Sequence, residues 1–275
     1  MVHESGGVAV VADVVVKSGL AYGAGGKLMD VHRPADASGP LPAVLLWHGR
    51  GPDERDVLAP VARAAAASGV IVLVPDWRPD APDGGRTQLN DSVTFARRNL
   101  AGFGGDPGRI VLAGWSLGAK AAVGAALNPA ALGNWRPQAV VGIAGAYGSA
   151  APVTGTAPID DLRLGGNRLP PLPVWLVHGT GDPIVDVGRS RELRTALAER
   201  GWPVTLDEVA TDHAGVIMTE FVPERGRCLP STAAHAVEAG SRTADVLARA
   251  ATGSDRPFGP PDISGGGGPP GHARI

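Results

Sequence analysis

The sequence predicts an α/β protein with a mostly parallel central sheet, helices on both faces and an antiparallel edge at its N-terminal side. Several short apolar runs show almost no polar alternation, which is the pattern of strands buried on both faces. Stretches compatible with helices separate these runs. Strands that alternate with helices favour a parallel sheet that is covered on both sides.

The predicted elements follow one another in this order along the chain. The first two strands, 8–16 and 27–33, have no helix between them, and this predicts the antiparallel edge. The six further strands are predicted at 43–47, 70–74, 109–113, 139–143, 174–177 and 204–209. The helices are predicted at 54–68, 87–100, 117–127, 188–200 and 231–250. The segment 148–172 carries Pro and Gly throughout, has no predicted element and is interpreted as a lid or a pocket wall.

The composition is that of a globular protein and excludes several classes of function. The chain has 275 residues, of which 44% are hydrophobic and 19% are charged. Its net charge of −2 argues against a general nucleic-acid binder. The single cysteine, Cys228, excludes an internal disulfide and a cysteine-cluster metal site.

We expect one folded domain over residues 1–251. Residues 252–275 are rich in Gly and Pro and are expected to form a disordered tail. The chain begins without a basic leader, and it has no apolar run of the roughly 20 residues that a spanning helix needs. We therefore expect a cytoplasmic protein without a membrane span.

A serine between two glycines stands where a predicted strand meets the predicted helix 117–127. The pentapeptide Gly114 to Gly118 reads G-W-S-L-G, the G-x-S-x-G pattern of a nucleophile elbow. Small neighbours let the strand and the helix approach, and the N-terminus of the helix favours a developing negative charge. Ser116 is therefore the predicted nucleophile. The alternative is a Gly-rich turn in which this serine only caps the helix.

A serine nucleophile needs a base and an acid that orients the base. On a sheet of this kind the chain order is serine, acid, histidine. Asp182 and His213 each follow a predicted strand downstream of Ser116, so all three are expected at the same edge of the sheet. Asp186 is the alternative acid. Asp212 is expected to be a solvated loop residue.

The two backbone N–H donors of an oxyanion hole are predicted at Arg50 and Leu117. Leu117 follows the nucleophile, whereas Arg50 lies in a glycine-containing loop after the strand 43–47. We expect Gly49 and Gly51 to let this loop approach the substrate. His48 is expected to pack and to hold the loop.

Two aromatic residues are further candidates for substrate contact. Trp115 stands beside the predicted nucleophile, and Tyr147 opens the segment 148–172. Packing within the core is the alternative for each of them.

Six stretches carry a family resemblance. They are M-D-V-H-R-P at 29–34, P-A-V-L-L-W-H-G-R-G at 42–51, F-G-G-D-P-G-R-I at 103–110, G-W-S-L-G at 114–118, H-G-T-G-D at 178–182 and D-H at 212–213. Together they resemble the α/β-hydrolase superfamily, most of all the carboxylesterases and lipases of its hormone-sensitive-lipase and feruloyl-esterase-like branches. The resemblance covers roughly residues 20–250. It implies the α/β-hydrolase fold and acyl transfer from an ester to water, with no metal or organic cofactor.

The chain departs from the family pattern in ways that concern the substrate. Arg50 stands where the family often has a glycine, and no long helical insertion precedes the first strand. The cap is therefore expected to be small, and the pocket open to small-molecule esters with short acyl chains.

Other functions fit the same residues. A serine peptidase, an amidase or an acyltransferase would use the same serine, acid and histidine, and the sequence does not separate these enzymes. The non-catalytic alternative is a ligand-binding protein that keeps the fold. The sequence leaves the oligomeric state open.

Overall fold

The central sheet has eight strands. The structure is a computed structural model and describes residues 13–164 and 169–254. The strands lie in the order β1-β2-β4-β3-β5-β6-β7-β8. They are β1 (Val14–Tyr22), β2 (Lys27–Pro34), β3 (Leu41–Trp47), β4 (Ile71–Pro75), β5 (Gly105–Trp115), β6 (Val140–Ile143), β7 (Val174–Gly179) and β8 (Val204–Val209). The pairs β1–β2 and β2–β4 are antiparallel and all other pairs are parallel, so the predicted fold class is confirmed.

Helices cover both faces of this sheet. They are α1 (Ala59–Ala67), α2 (Arg86–Asn99), α3 (Leu117–Leu127), α4 (Pro158–Arg163), α5 (Gly188–Ala198) and α6 (Ala234–Thr252). One hydrophobic core joins the sheet to α1 and α6, and the other joins it to α2, α3, α4 and α5. The strand β4 is buried at every position, which explains why its sequence shows no polar alternation. Within the described part of the chain, no helix combines the length and hydrophobicity that a membrane span requires.

The element bounds agree with the predicted ones most closely around the sheet's carboxyl edge. The helix 117–127 and the strand 204–209 have the predicted bounds. The predicted helix 54–68 starts instead as a 3-10 turn, Arg55–Leu58, before α1 begins with a proline in its first turn. The predicted first strand lies partly outside the described residues, and β1 continues beyond it to Tyr22. The predicted tail lies outside the described residues from 255 onwards.

One helix and two strands were not predicted. The segment 148–172 was expected to have no regular structure, but it contains the short helix α4. A two-stranded hairpin, β9 (Thr219–Val222) and β10 (Arg227–Pro230), precedes α6. Helix α4 has six residues and each strand of the hairpin has four, which is too short for a periodic pattern to be recognised.

Candidate active site

Ser116 occupies a strained turn at the carboxyl edge of the sheet, between β5 and α3. Its backbone has φ 56° and ψ −117°, in the region that non-glycine residues rarely adopt. The Ser116 N–H donates to the carbonyl of Ile143, at the end of β6, over 2.8 Å. This hydrogen bond and the close packing around the turn hold the conformation.

The glycines on either side of the serine are required by steric contact. A Cβ at Gly114 would lie 2.2 Å from the carbonyl carbon of Gly118. A Cβ at Gly118 would lie 2.3 Å from the carbonyl oxygen of Trp47, the last residue of β3. Helix α3 therefore begins in contact with its neighbouring strands, and only glycine leaves room for this approach.

His213 links Ser116 to a buried carboxylate. Its Nε2 lies 3.0 Å from Ser116 Oγ, and its Nδ1 lies 2.6 Å from Asp182 Oδ2. The side chain of His213 is 12% exposed and that of Asp182 is fully buried. The indole N–H of Trp115 donates to the His213 carbonyl over 2.9 Å, and the two rings lie 5.1 Å apart between centroids. The three residues that the sequence singled out thus form one hydrogen-bonded chain.

Asp182 is ionised because several donors compensate for its burial. The backbone N–H groups of Ile184 and Val185 both donate to its Oδ1 over 2.8 Å. Burial acts to raise the pKa of Asp182, but donation by His178, His213 and the Val185 N–H outweighs burial and holds this pKa well below its usual range. An ionised Asp182 accepts a hydrogen bond from the Nδ1–H of His213, which leaves the Nε2 lone pair free to accept from the hydroxyl of the serine.

The other carboxylates of these loops cap turns instead. Asp186 Oδ1 accepts the N–H of Gly188 at the start of α5. Asp212 Oδ1 accepts the N–H groups of Ala214 and Gly215. Asp182, rather than Asp186, is the acid that contacts His213.

The loop after β3 lies against the serine, as the predicted oxyanion loop should. A Cβ at Gly49 would lie 3.3 Å from Ser116 Cβ and 3.0 Å from the Trp115 ring. Arg50 is exposed, and within the described chain its side chain has no hydrogen bond or ion pair. Leu117 is the first residue of α3, where backbone N–H groups have no acceptor within the helix. Both predicted N–H donors therefore belong to segments that flank Ser116.

Gly51 packs directly on a carboxylate. A Cβ at this position would lie 1.9 Å from Glu54 Cδ, and the Gly51 N–H donates to the same carboxylate. Burial raises the pKa of Glu54. No motif of the sequence pointed to Glu54, although its carboxylate contacts the oxyanion loop at Gly51.

His48 holds the loop from the protein interior. It is fully buried, and its Nε2 accepts the N–H groups of Glu54 and Trp77 over 3.2 Å and 3.1 Å. The Trp77 indole N–H donates to the His48 carbonyl over 3.2 Å, and the two rings stack. Burial lowers the pKa of His48 to about 4, so the ring is neutral and remains an acceptor. These contacts fit the packing role expected for His48.

The two aromatic residues that were predicted to contact the substrate lie in different surroundings. Trp115 borders both Gly49 and His213, whereas Tyr147 is 1% exposed and belongs to the core. The Tyr147 hydroxyl points at the Cα atoms of Gly142 and Gly145, where an added Cβ would lie 2.4 Å from it. This placement favours the core alternative for Tyr147.

The hairpin β9–β10 stands beside the site and was missed from the sequence. It follows the short turn after His213, and Arg227 of β10 makes an ion pair with Asp56 at 2.7 Å. Burial raises the pKa of Cys228, also in β10, and the nearby charges of Glu54 and Asp212 raise it further. The hairpin thus joins the loop of His213 to the loop that follows β3. The turn residues Pro223 and Gly226 were the one signal in the sequence.

Lys120 is a second residue that the sequence analysis did not single out. It lies one turn along α3 from Ser116, and its Nζ lies 2.5 Å from Ser149 Oγ. Burial lowers the pKa of Lys120, and the charge of Arg50 lowers it further.

Among residues 13–164 and 169–254, no cluster of three or more His, Cys, Asp or Glu side chains is arranged to hold a metal ion.

Comparisons with known proteins agree with this architecture. A mutant of the esterase rPPE complexed with (S)-Ac-CPA superposes with a TM-score of 0.66 at 16% identity, covering 90% of this chain and 86% of that one. A thermostable esterase from Pseudomonas putida has a TM-score of 0.63 at 17% identity, with 88% and 84% covered. A truncated carbohydrate esterase from gut microbiota has a TM-score of 0.63 at 14% identity, with 89% and 99% covered.

Comparison of the sequence with family models identifies the family. A search of curated proteins found no significant match. The model of the alpha/beta hydrolase family matches residues 44–265, which is most of the chain. The protein therefore belongs to the alpha/beta hydrolase family.

Proposed function

We propose that the protein hydrolyses carboxylic esters with short acyl chains, using Ser116 as nucleophile, His213 as general base and Asp182 as the orienting acid. The observation that carries this proposal is the hydrogen-bonded chain Ser116 Oγ–His213 Nε2 and His213 Nδ1–Asp182 Oδ2 at 3.0 Å and 2.6 Å. Similarity in fold to three proteins named as esterases supports the same reaction class.

Acylation begins with attack by Ser116 Oγ on the ester carbonyl carbon. The hydroxyl proton passes to His213 Nε2 as the new C–O bond forms. The ionised Asp182 holds the Nδ1 proton and stabilises the imidazolium. When the tetrahedral intermediate collapses, the bond to the alcohol oxygen breaks, and His213 returns its proton to the departing alcohol.

Deacylation follows the same route with water. Water attacks the acyl carbon and gives its proton to His213 Nε2. The bond to Ser116 Oγ then breaks, the serine recovers the proton, and the carboxylic acid leaves. The overall reaction consumes one ester and one water and forms one acid and one alcohol.

The N–H groups of Arg50 and Leu117 are the proposed donors to the oxyanion. Their segments flank the serine, and Gly49 lets the first of them approach it closely. A donor of this kind is worth about 3–4 kcal/mol of barrier. Because the donors are backbone groups, the geometry of the loop matters more than the identity of the Arg50 side chain.

The proposed preference for short acyl chains rests on the small cover over the site. Among the described residues, the segment after β6 contains the six-residue helix α4, which packs against α3 and α5, and the hairpin β9–β10 stands beside the site. Neither forms a long helical cap, and we infer from this an open pocket that suits short acyl chains.

The test is hydrolysis of p-nitrophenyl esters with acyl chains from acetyl to dodecanoyl. Wild type, Ser116→Ala and Ser149→Ala are compared. Ser149 is the matched control, because it is exposed and, among the described residues, its hydroxyl is bonded to Lys120 alone. We expect turnover highest on the shortest chains, lost in Ser116→Ala and kept in Ser149→Ala. A maximum at long chains would contradict the short-chain proposal. If the folded protein hydrolyses no ester but cleaves a matched anilide, the protein is an amidase and not an esterase.

A further inference from the structure

A second buried histidine stands behind the proposed acid. His178 lies near the end of β7 and is fully buried. Its Nδ1 lies 2.7 Å from Ser190 Oγ on α5. Its Nε2 lies 2.8 Å from the Val185 carbonyl oxygen and 3.3 Å from Asp182 Oδ2. The mechanism proposed above makes no use of this residue.

The contacts of His178 fix one tautomer. The Val185 carbonyl can only accept, so the Nε2 of His178 must carry the proton. In the neutral ring Nδ1 is then the acceptor, and the Ser190 hydroxyl donates to it. Ser190 is also fully buried, so water does not compete with this hydrogen bond.

These contacts stabilise the turn between Asp182 and Val185, which carries the proposed acid. The Val185 N–H donates to Asp182 Oδ1 over 2.8 Å, while the carbonyl of the same residue accepts from His178. His178 therefore touches the turn both at its backbone and at the carboxylate. Asp182 Oδ2, which accepts the hydrogen bond from His213 Nδ1, also lies beside the Nε2 atom of His178.

We propose that His178 is a positioning residue, which Ser190 holds in one tautomer and which fixes the Asp182 carboxylate in line with His213. This role rests on the proposed function, because Asp182 acts on the reaction only through His213. A displacement of about 1 Å at a distance from the reacting atoms can cost about 100-fold in rate. Losing the support of His178 is therefore expected to lower kcat and to leave KM nearly unchanged, because His178 does not reach the substrate.

The test uses two substitutions of His178. His178→Phe keeps the ring volume and removes both ring nitrogens. His178→Gln keeps an N–H donor near the position of Nε2. With active sites counted by fluorophosphonate titration, we expect kcat per site to fall about 10- to 100-fold in His178→Phe. Most of this loss should be recovered in His178→Gln, and KM should change by less than about twofold in both variants.

A second readout needs no substrate. The proton between His213 Nδ1 and Asp182 gives a downfield proton NMR signal. We expect this signal to move upfield and to exchange faster with water in His178→Phe, because the hydrogen bond is less well held, and to return towards its wild-type position in His178→Gln. If wild type hydrolyses no ester, the proposed function fails, and this signal still decides the role of His178.

His32→Phe is the matched control. His32 is also buried and has no hydrogen-bond partner among the described residues. It lies in β2, near the edge of the sheet opposite to β7. The same substitution there should leave both kcat per site and the NMR signal unchanged. The proposal for His178 is overturned if His178→Phe behaves like His32→Phe in both readouts, or if His178→Gln recovers nothing.

Discussion

Acid should destabilise the fold through His48, and the size of the effect follows from its burial. Burial lowers the pKa of His48 from 6.5 to about 4, a larger effect than those of its neighbours Asp53 and Asp56, which raise the pKa, and of Lys27, which lowers it. Protonation would also remove the Nε2 lone pair that accepts two backbone N–H groups. His48 is thus neutral in the folded protein at pH values where it is already charged in the unfolded chain.

The sign and magnitude follow from linkage. Because the folded pKa lies below the unfolded one, the unfolded chain takes up the proton first as the pH falls. The contribution of the neutral ring is complete above pH 6.5 and is lost between 6.5 and about 4. A gap of about 2.5 pH units at 1.36 kcal/mol per unit corresponds to about 3 kcal/mol of unfolding free energy.

The assay is urea unfolding across this pH range in wild type and in His48→Gln. Glutamine does not titrate and keeps an acceptor near the position of Nε2, so the difference between the two curves isolates the histidine. We expect wild type to lose about 3 kcal/mol more than His48→Gln between about pH 7 and pH 4. All other titrating groups, including buried His32, are common to both proteins. If the two stability curves run parallel across this pH range, His48 does not cause the loss of stability in acid.

Two further predictions separate neighbouring roles. Asp182→Asn is expected to lower kcat about 10⁴-fold, because His213 would no longer be held in the required tautomer. Asp186→Asn, measured in the same assay, should change kcat little. Equal losses in the two variants would contradict the assignment of Asp182 as the acid. Gly118→Ala places a Cβ 2.3 Å from the last carbonyl of β3 and should lower the unfolding free energy by about 3 kcal/mol or more. Gly102→Ala, with no atom within 4 Å, should stay within about 0.5 kcal/mol of wild type in thermal unfolding, and an equal loss there would exclude the steric explanation.

The sequence predicted the order of the strands and helices of the central sheet, because most of the strands are apolar runs that helix-compatible stretches separate. Helix α3 and strand β8 have the predicted bounds, the first because a glycine-flanked serine marks its start. The proximity of Ser116, Asp182 and His213 was also predictable, because each follows a strand of one parallel sheet and the carboxyl ends of such strands meet at one edge. Their chemical roles stay a prediction.

Other features depended on contacts that no local pattern reveals. The hairpin β9–β10 has strands of four residues, and β10 ends in a proline, so neither alternation nor length indicated it. His48 and His178 look alike in sequence, since each stands before a glycine at the end of a strand. Their partners, Trp77 for one and Ser190 for the other, are 29 and 12 residues away. Only the folded chain shows which loop each histidine supports.

The most direct test of the central claim is covalent labelling of Ser116. Wild type, Ser116→Ala, His213→Ala and the control Ser149→Ala are treated with a fluorophosphonate, and the intact mass and modified peptide are determined by mass spectrometry. We expect one adduct per chain on Ser116 in wild type and in Ser149→Ala, no adduct in Ser116→Ala, and much slower labelling in His213→Ala. Folded wild type that stays unlabelled, or that carries the adduct on another residue, would contradict this expectation.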